Sequence, residues 1–161
     1  MSIDRGDSHF EDAGTWNKAC RHIALYLWWA VERGLGGEEH VDLAPIRKAP
    51  TKYFIGACDC KLWDVDFNAE GVAFAEAMYS PYCVEVERYA KKLGIDDYAV
   101  KENAATAAHF FAFLDNKLAT WRTKAPSPAK AKAKPAKAKA KPKAKPKAKK
   151  KPAKPSRDRR R

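Results

Sequence analysis

The 161-residue sequence lacks several features, and each absence excludes a class of protein. No apolar run reaches the roughly 18 residues that a membrane span needs. The first residues, Met1-Ser2-Ile3-Asp4-Arg5, contain no apolar stretch of the kind that opens a secretory signal peptide. No segment alternates β-branched and polar residues over the length of a strand. We therefore expect a cytoplasmic helical protein whose four cysteines are reduced.

Positive charge is concentrated at one end of the chain. The net charge is +12, but residues 1–122 contain 14 Lys and Arg against 19 Asp and Glu, a net charge of −5. Residues 123–161 contain 18 Lys and Arg and a single acid, Asp158, a net charge of +17. The sequence thus divides into a mildly acidic part and a strongly basic part.

Apolar periodicity in the acidic part predicts an all-α domain of about five helices over residues 14–122, after a flexible segment 1–13. Asn68 is expected to cap a helix. Ser80-Pro81 is expected to end one helix and start another, because proline suits the first helical turn and not the interior. The predicted helices run from Thr15 to about Arg33, from Thr51, from Ala69 to about Tyr79, from Ser80 to about Lys92 and from about Glu102 to Arg122, with a loop at 38–50.

The basic part has the composition of a disordered tail. Residues 123–161 include 14 Lys, 10 Ala and 7 Pro, and no aromatic, Leu, Ile, Val or Met residue with which to build a core. The prolines interrupt the helix that Ala and Lys favour, and repulsion between the lysines extends the chain. We predict that this tail binds a polyanion.

Nucleic acid is the favoured polyanion. The tail has no aromatic side chain to stack on bases and few arginines to read guanine, so binding should not depend on base sequence. The segment Ser127-Pro128-Ala129-Lys130 and the repeats after it resemble the tails of linker histones and bacterial histone-like proteins, which implies DNA. RNA, an anionic membrane and a merely solubilising role are the alternatives. The predicted contacts are Lys130, Lys132, Lys134, Lys137, Lys139, Lys141, Lys143, Lys145, Lys147, Lys149, Lys150, Lys151, Lys154, Arg157, Arg159, Arg160 and Arg161.

The cysteines do not have the spacing of a zinc site. One residue separates Cys58 from Cys60, whereas zinc-binding pairs usually have two to four residues between them. Cys20 and His22 would project about 200° apart from one helix, so they could not face one metal. The cysteines are therefore interpreted as small apolar residues, with Cys20 and Cys83 in the core.

The run Asp64-x-Asp66-x-Asn68 resembles the start of a calcium-binding loop. Its sixth position is Ala69, where glycine is needed, and its twelfth is Ala75, where a bidentate glutamate is needed. We interpret the run as a helix cap with acids near the positive helix N-terminus. No metal or cofactor is expected.

His22 lies alone on a largely apolar predicted helix. Such a histidine is more often a hydrogen-bonded core residue than a catalyst. It could approach Asp59, Lys61 or Asp64 if the short second helix packs across the first. These four residues are the candidate polar cluster, and no catalytic residue is assigned.

Several motifs resemble a family of small bacterial proteins of unknown function, the DUF7832 type, over about residues 9–122. The resemblance implies a bacterial, cytosolic protein with no assigned catalysis. Cys60 stands where that family is expected to have a small residue, which further weakens a Cys-x-Cys metal site. The motifs are Trp16, His22-Ile23, Trp29-Ala30, Glu32-Arg33-Gly34-Leu35, Tyr53-Phe54, Cys58-Asp59-x-Lys61-Leu62-Trp63-Asp64, Asn68-x-Glu70-Gly71, Tyr98-x-Val100 and Trp121.

The leading hypothesis is a non-enzymatic protein that holds nucleic acid with its tail, in the cytoplasm or on the nucleoid. The helical domain would then bind another ligand or a protein partner. The alternatives are an immunity-type interaction protein with an accessory tail and a small enzyme that uses the His22 cluster.

Overall fold

Seven α-helices make up most of residues 1–124, the part of the chain that this computed structural model describes. The all-α prediction is confirmed, with more helices than the five expected. Within these residues the strands are limited to β1 (Ser2–Arg5) and β2 (Lys61–Trp63), which pair antiparallel. The helices are α1 (Phe10–Ala13), α2 (Trp16–Ala19), α3 (Arg21–Glu32), α4 (Leu43–Lys48), α5 (Pro50–Ala57), α6 (Ala69–Leu93) and α7 (Ala104–Lys124).

Helix α3 is the centre of the core. Eight of its twelve residues are buried, and Tyr26 and Trp29 are completely covered. It packs against α4, α5, α6 and α7, as its several apolar faces predict. The rings of Tyr79, Tyr82 and Phe74 from α6 contact those of α3 at centroid distances of 4.9 to 5.3 Å.

The predicted first helix is divided at Cys20, between α2 and α3. Thr15 caps α2, since its side chain accepts a hydrogen bond from the Lys18 N–H. The predicted loop at 38–50 instead contains a 3-10 turn at Glu38–His40 and helix α4, which Asp42 caps. The 3-10 turn has three residues and α4 has six, and elements this short show too few apolar repeats to be predicted from periodicity.

Helix α6 runs for 25 residues through Pro81, so the predicted break at Ser80-Pro81 is wrong. Proline removes one N–H from the helical ladder, and both Ser80 and Pro81 are exposed. The neighbouring Tyr79 and Tyr82 are buried in one core, and this packing holds the helix continuous. Its ends follow the sequence: Asn68 accepts a hydrogen bond from the Gly71 N–H, and Gly94 closes the helix at a φ of 70°.

Residues 1–13 lie against the domain and are not the loose segment that their polar composition predicts. β1 pairs with β2 in the register Arg5 with Lys61 and Asp4 with Leu62. The turn Gly6–His9 and helix α1 follow, and the Gly6 N–H donates to the Cys60 carbonyl at 2.7 Å. Backbone pairing with β2 and ionic contacts of Asp4 order a stretch that has few apolar residues.

The predicted tail lies almost entirely outside the described residues. Residues 123 and 124 complete α7, and all seventeen predicted nucleic-acid contacts follow them in the sequence. None of the helices in residues 1–124 has both the length and the apolar character needed to cross a membrane.

Candidate functional site

The four residues of the predicted polar cluster do not meet. Asp59 and Lys61 form an exposed ion pair of 2.9 Å, and the Asp64 carboxylate pairs with the amino terminus at 2.6 Å. His22 lies against Asp4 of β1, with 3.4 Å between its Nε2 and Asp4 Oδ2. The cluster prediction is wrong because β1, taken as flexible, supplies the carboxylate that His22 contacts.

Asp4 is instead the centre of a polar cluster, here called the amino-terminal cluster: Asp4, His9, His22, Tyr79, Cys83 and Tyr98. Asp4 Oδ1 lies 2.9 Å from His9 Nε2. Asp4 Oδ2 accepts a hydrogen bond from the Tyr79 hydroxyl at 2.5 Å. The other ring nitrogen of His9 lies 3.0 Å from the Tyr98 hydroxyl. The two histidine rings meet edge to face, with centroids 4.7 Å apart.

Five separate elements position this cluster. β1 carries Asp4, the turn Gly6–His9 carries His9, and α3 carries His22. Helix α6 carries Tyr79 and Cys83, and the turn Asp97–Ala99 carries Tyr98. Two hydrogen bonds hold these elements together: the Tyr82 hydroxyl donates to the His22 carbonyl at 2.8 Å, and the Arg21 guanidinium donates to the Val100 carbonyl at 2.8 Å.

The hydrogen bonds favour an ionised Asp4. Burial alone would raise the pKa of its carboxyl, but hydrogen bonds from His22, His9 and Tyr79 outweigh burial and hold this pKa well below its usual range. The hydrogen bond between His9 and Asp4 also raises the pKa of His9. Burial raises the pKa of the Cys83 thiol to about 12. The cluster is thus built around one carboxylate with several donors.

A small cavity of about 100 Å³ opens beside the amino-terminal cluster. Cys83 faces it, and its sulfur, an Asp4 oxygen and a His22 nitrogen all lie within 4.8 Å of one another. Cys83 was expected in the core but is only partly buried. The polar residues that line the cavity are His9, His22, Cys83, Glu87, Asp97 and Tyr98.

A second histidine–carboxylate cluster, here called the buried cluster, comprises His40, Tyr53, Cys58 and Asp66. His40 Nε2 lies 2.9 Å from Asp66 Oδ1, and His40 Nδ1 lies 2.9 Å from the Tyr53 hydroxyl. The other Asp66 oxygen accepts the Trp63 N–H at 2.6 Å. His40 and Asp66 are 3% and 5% exposed, so their pair is shielded from solvent, while Tyr53 is partly exposed at the edge of the cluster.

The buried cluster explains the residues that resembled a calcium loop. Asp66 does not lie free near the N-terminus of α6 but bonds to His40 and closes the turn Asp64–Asp66. Asn68 caps α6 as predicted.

The family model described as a domain of unknown function, DUF7832, matches residues 2–112. The chain belongs to the DUF7832 family. The matched range begins earlier than the sequence motifs indicated, and it contains every residue of both clusters. No curated protein and no solved structure matches this DUF7832 chain.

Sequence reasoning missed Asp4, His9 and Tyr98 in this DUF7832 domain. Asp4 and His9 precede the first periodic helix, in a stretch without apolar pattern, and Tyr98 follows the end of α6. Their contacts join residues up to 89 positions apart. The sequence does contain one signal, the many polar residues at 4–12, which include His9. Nothing in the neighbouring sequence indicates which residues His9 contacts.

Proposed function

We propose that this DUF7832 protein is a non-enzymatic nucleic-acid-binding protein whose basic tail holds DNA without reading its sequence. The observation that carries the proposal is the division of charge: −5 over residues 1–122 and +17 over residues 123–161. Lysines repeated along a chain without large apolar residues can follow a phosphate backbone in many registers. The helical domain then serves as a module for a second ligand.

The ion pairs of the domain support assigning phosphate binding to the tail. Six basic side chains of residues 1–124 already contact carboxylates, which lowers the positive potential that they offer to a polyanion. The pairs are Arg5–Asp7, Arg33–Asp115, Arg47–Glu32, Lys61–Asp59, Arg88–Glu85 and Arg122–Glu70.

Salt dependence tests the proposal. Fluorescence anisotropy would compare the full-length protein with a chain that ends at Lys124, on duplexes of unrelated sequence and over a range of NaCl concentrations. If the tail contacts about 10 phosphates, the logarithm of the binding constant should fall with the logarithm of salt at a slope near −9. The shortened chain should lose this binding, and all duplexes should bind equally.

A full-length variant with its tail lysines and arginines replaced by glutamine is the matched control, because it keeps the length and removes the positive charge. Equal binding by the shortened chain, or a slope near zero, would overturn the proposal. Single-stranded RNA and anionic vesicles, measured in parallel, distinguish the other polyanions. In a bacterial cytoplasm we expect the full-length protein on the nucleoid and the shortened chain dispersed, as fluorescence microscopy would show.

A further inference from the structure

The donor atoms of the amino-terminal cluster have the chemistry of a transition-metal site. Asp4 offers an oxygen, His22 a nitrogen and Cys83 a sulfur, and these atoms lie within 4.8 Å of one another. Carboxylate, imidazole and thiolate together are ligands of zinc, a borderline-soft ion. The three residues come from β1, α3 and α6, so the set is assembled only by the folded domain.

We propose that Asp4, His22 and Cys83 bind a zinc-class divalent ion, with His9 as an outer contact of the Asp4 carboxylate. In a tetrahedral zinc site the donor atoms lie about 3.3 to 3.8 Å apart, given bonds of about 2.0 to 2.3 Å. The His22–Asp4 separation of 3.4 Å already fits this geometry. His9 Nε2, 2.9 Å from the other Asp4 oxygen, lies on the same carboxylate.

The cavity beside the cluster gives an ion access and a favourable charge. Glu87 and Asp97 line it, and no Lys or Arg does. The side chains of His9, His22 and Asp4 are 25%, 12% and 13% exposed, so an ion can reach them from solvent. The carboxylates of Glu87 and Asp97 therefore add negative charge to the cavity, and no Lys or Arg that lines it neutralises this charge.

Residues around the proposed ligands already orient them. The Tyr79 hydroxyl holds Asp4, and the Tyr98 hydroxyl holds the Nδ1 side of His9, which leaves His9 Nε2 directed at the cluster. Such outer contacts fix ligand orientation in metal sites. The ion would join β1 to α3 and α6, so binding would stabilise the docked amino-terminal segment.

The buried cluster has a similar donor set but does not support the same proposal. Its His40, Cys58 and Asp66 atoms also lie within 4.8 Å of one another. His40 and Asp66 are buried, however, with 3% and 5% of their surface exposed, whereas Asp4, His22 and Cys83 are all partly exposed. Cys58 is therefore the control for Cys83: it is a thiol in a His/Asp cluster that is buried, whereas Cys83 is partly exposed.

Cobalt and zinc titrations of the full-length protein, reduced and freed of metal with a chelator, test the site. Co²⁺ should bind one to one and give a near-ultraviolet thiolate charge-transfer band with the strong visible bands of four-coordinate cobalt. Zn²⁺ should displace it and raise the melting temperature. Cys83→Ser should lose the charge-transfer band, Cys58→Ser should keep it, and Tyr79→Phe should weaken Zn²⁺ binding about 10- to 100-fold.

Circular dichroism establishes that each variant is folded, and His22→Gln replaces Cys83→Ser if the latter does not fold. His22→Gln should weaken Zn²⁺ binding more than Tyr79→Phe does. Absence of the thiolate band in the wild-type protein would overturn the proposal. So would a band that Cys58→Ser removes and Cys83→Ser retains, because this places the ion in the buried cluster. The proposed ligands all lie between residues 4 and 83, so this test can succeed or fail independently of the DNA-binding test.

Discussion

The amino-terminal and buried clusters use the same residue types, yet one is open and the other closed. Each pairs a histidine with an aspartate, adds a tyrosine hydroxyl and places a cysteine nearby. In the buried cluster His40 and Asp66 are shielded from solvent, whereas Asp4, His9 and His22 of the amino-terminal cluster are partly exposed beside a cavity. The difference teaches that the same residue types can form either a shielded structural network or a cluster that solvent and ions can reach.

The largest expected loss of stability comes from a substitution in the buried cluster. Asp66→Ala removes the acceptor of His40 Nε2 and of the Trp63 N–H, and water cannot replace it. Breaking a buried, hydrogen-bonded pair costs about 3 to 5 kcal/mol. Urea denaturation of the full-length protein should show a loss of this size in the free energy of unfolding.

Asp64→Ala is the control, since Asp64 is two residues away and contacts only exposed groups. It should leave the unfolding midpoint nearly unchanged. Equal effects of the two substitutions would contradict the description of the buried cluster as a closed network.

Removing one hydroxyl from each cluster compares them directly. Tyr79→Phe removes a donor to the ionised Asp4, and hydrogen bonds to charged groups contribute about 1.5 to 3 kcal/mol. Tyr53→Phe removes the partner of His40 Nδ1, for which about 0.5 to 1.5 kcal/mol is expected. Chemical denaturation of both variants at neutral pH measures the difference. A larger loss for Tyr53→Phe would show that Asp4 is not the charged centre of its cluster.

The geometry of the amino-terminal cluster also depends on the position of residues 1–13. A Cβ at Gly6 would come within 2.5 Å of Cys20 Sγ and 3.2 Å of Cys60 Cβ, so Gly6→Ala should displace the turn that carries His9. Such overpacking costs about 1 to 3 kcal/mol. The same variant should leave the buried cluster intact, which the ring proton signals of His40 would report.

Gly56→Ala is the matched control for Gly6→Ala. A Cβ there meets no atom within 4 Å, and Gly56 lies inside α5. Alanine in a helix is more favourable than glycine by about 0.5 to 1 kcal/mol, so this variant should be slightly more stable than the wild type. If Gly6→Ala behaved like Gly56→Ala, residues 1–13 would be the flexible segment that their composition predicts.

The sequence predicts a structural feature correctly where the interacting residues are close in the chain, and it fails where they are far apart. Asn68 and Gly94 end their helix with groups a few residues away, so both caps are readable from the sequence. Pro81 is also a local signal, but buried tyrosines on either side override it. β1 and β2 contain four and three residues, too few for a periodic pattern.

The clusters were harder to predict than the helices. His22 was identified as a polar residue on an apolar helix, but its carboxylate is 18 positions earlier, in a segment without an apolar pattern. The sequence places Asp66 as an acid near the positive N-terminus of α6, but its partner His40 is 26 positions earlier. In both cases the residue was recognised and its environment was not, because backbone pairing and packing of separate elements create that environment.

The smallest effect expected concerns a carboxylate outside both clusters. Glu32 accepts hydrogen bonds from Arg47 and from the Trp28 ring N–H, and these contacts, Arg47 first, lower the pKa of its carboxyl to about 2. Because the folded pKa lies below the usual value of about 4.5, its contribution is present above that pH and is lost as the pH falls toward 2. Because the Arg47 side chain is 57% exposed, solvent screens the pair and the contribution to the free energy of unfolding is small.

The salt dependence of stability distinguishes the Glu32–Arg47 pair from the buried cluster. Glu32→Gln should cost a little stability at pH 7 in dilute buffer and almost none in concentrated NaCl, because ions screen the exposed pair. The loss in Asp66→Ala should persist in NaCl, since His40 and Asp66 are shielded from solvent. Denaturation of both variants at low and high NaCl measures the contrast. A salt-sensitive loss in Asp66→Ala would mean that water and ions reach the buried cluster, and the distinction between a closed and an open cluster would fail.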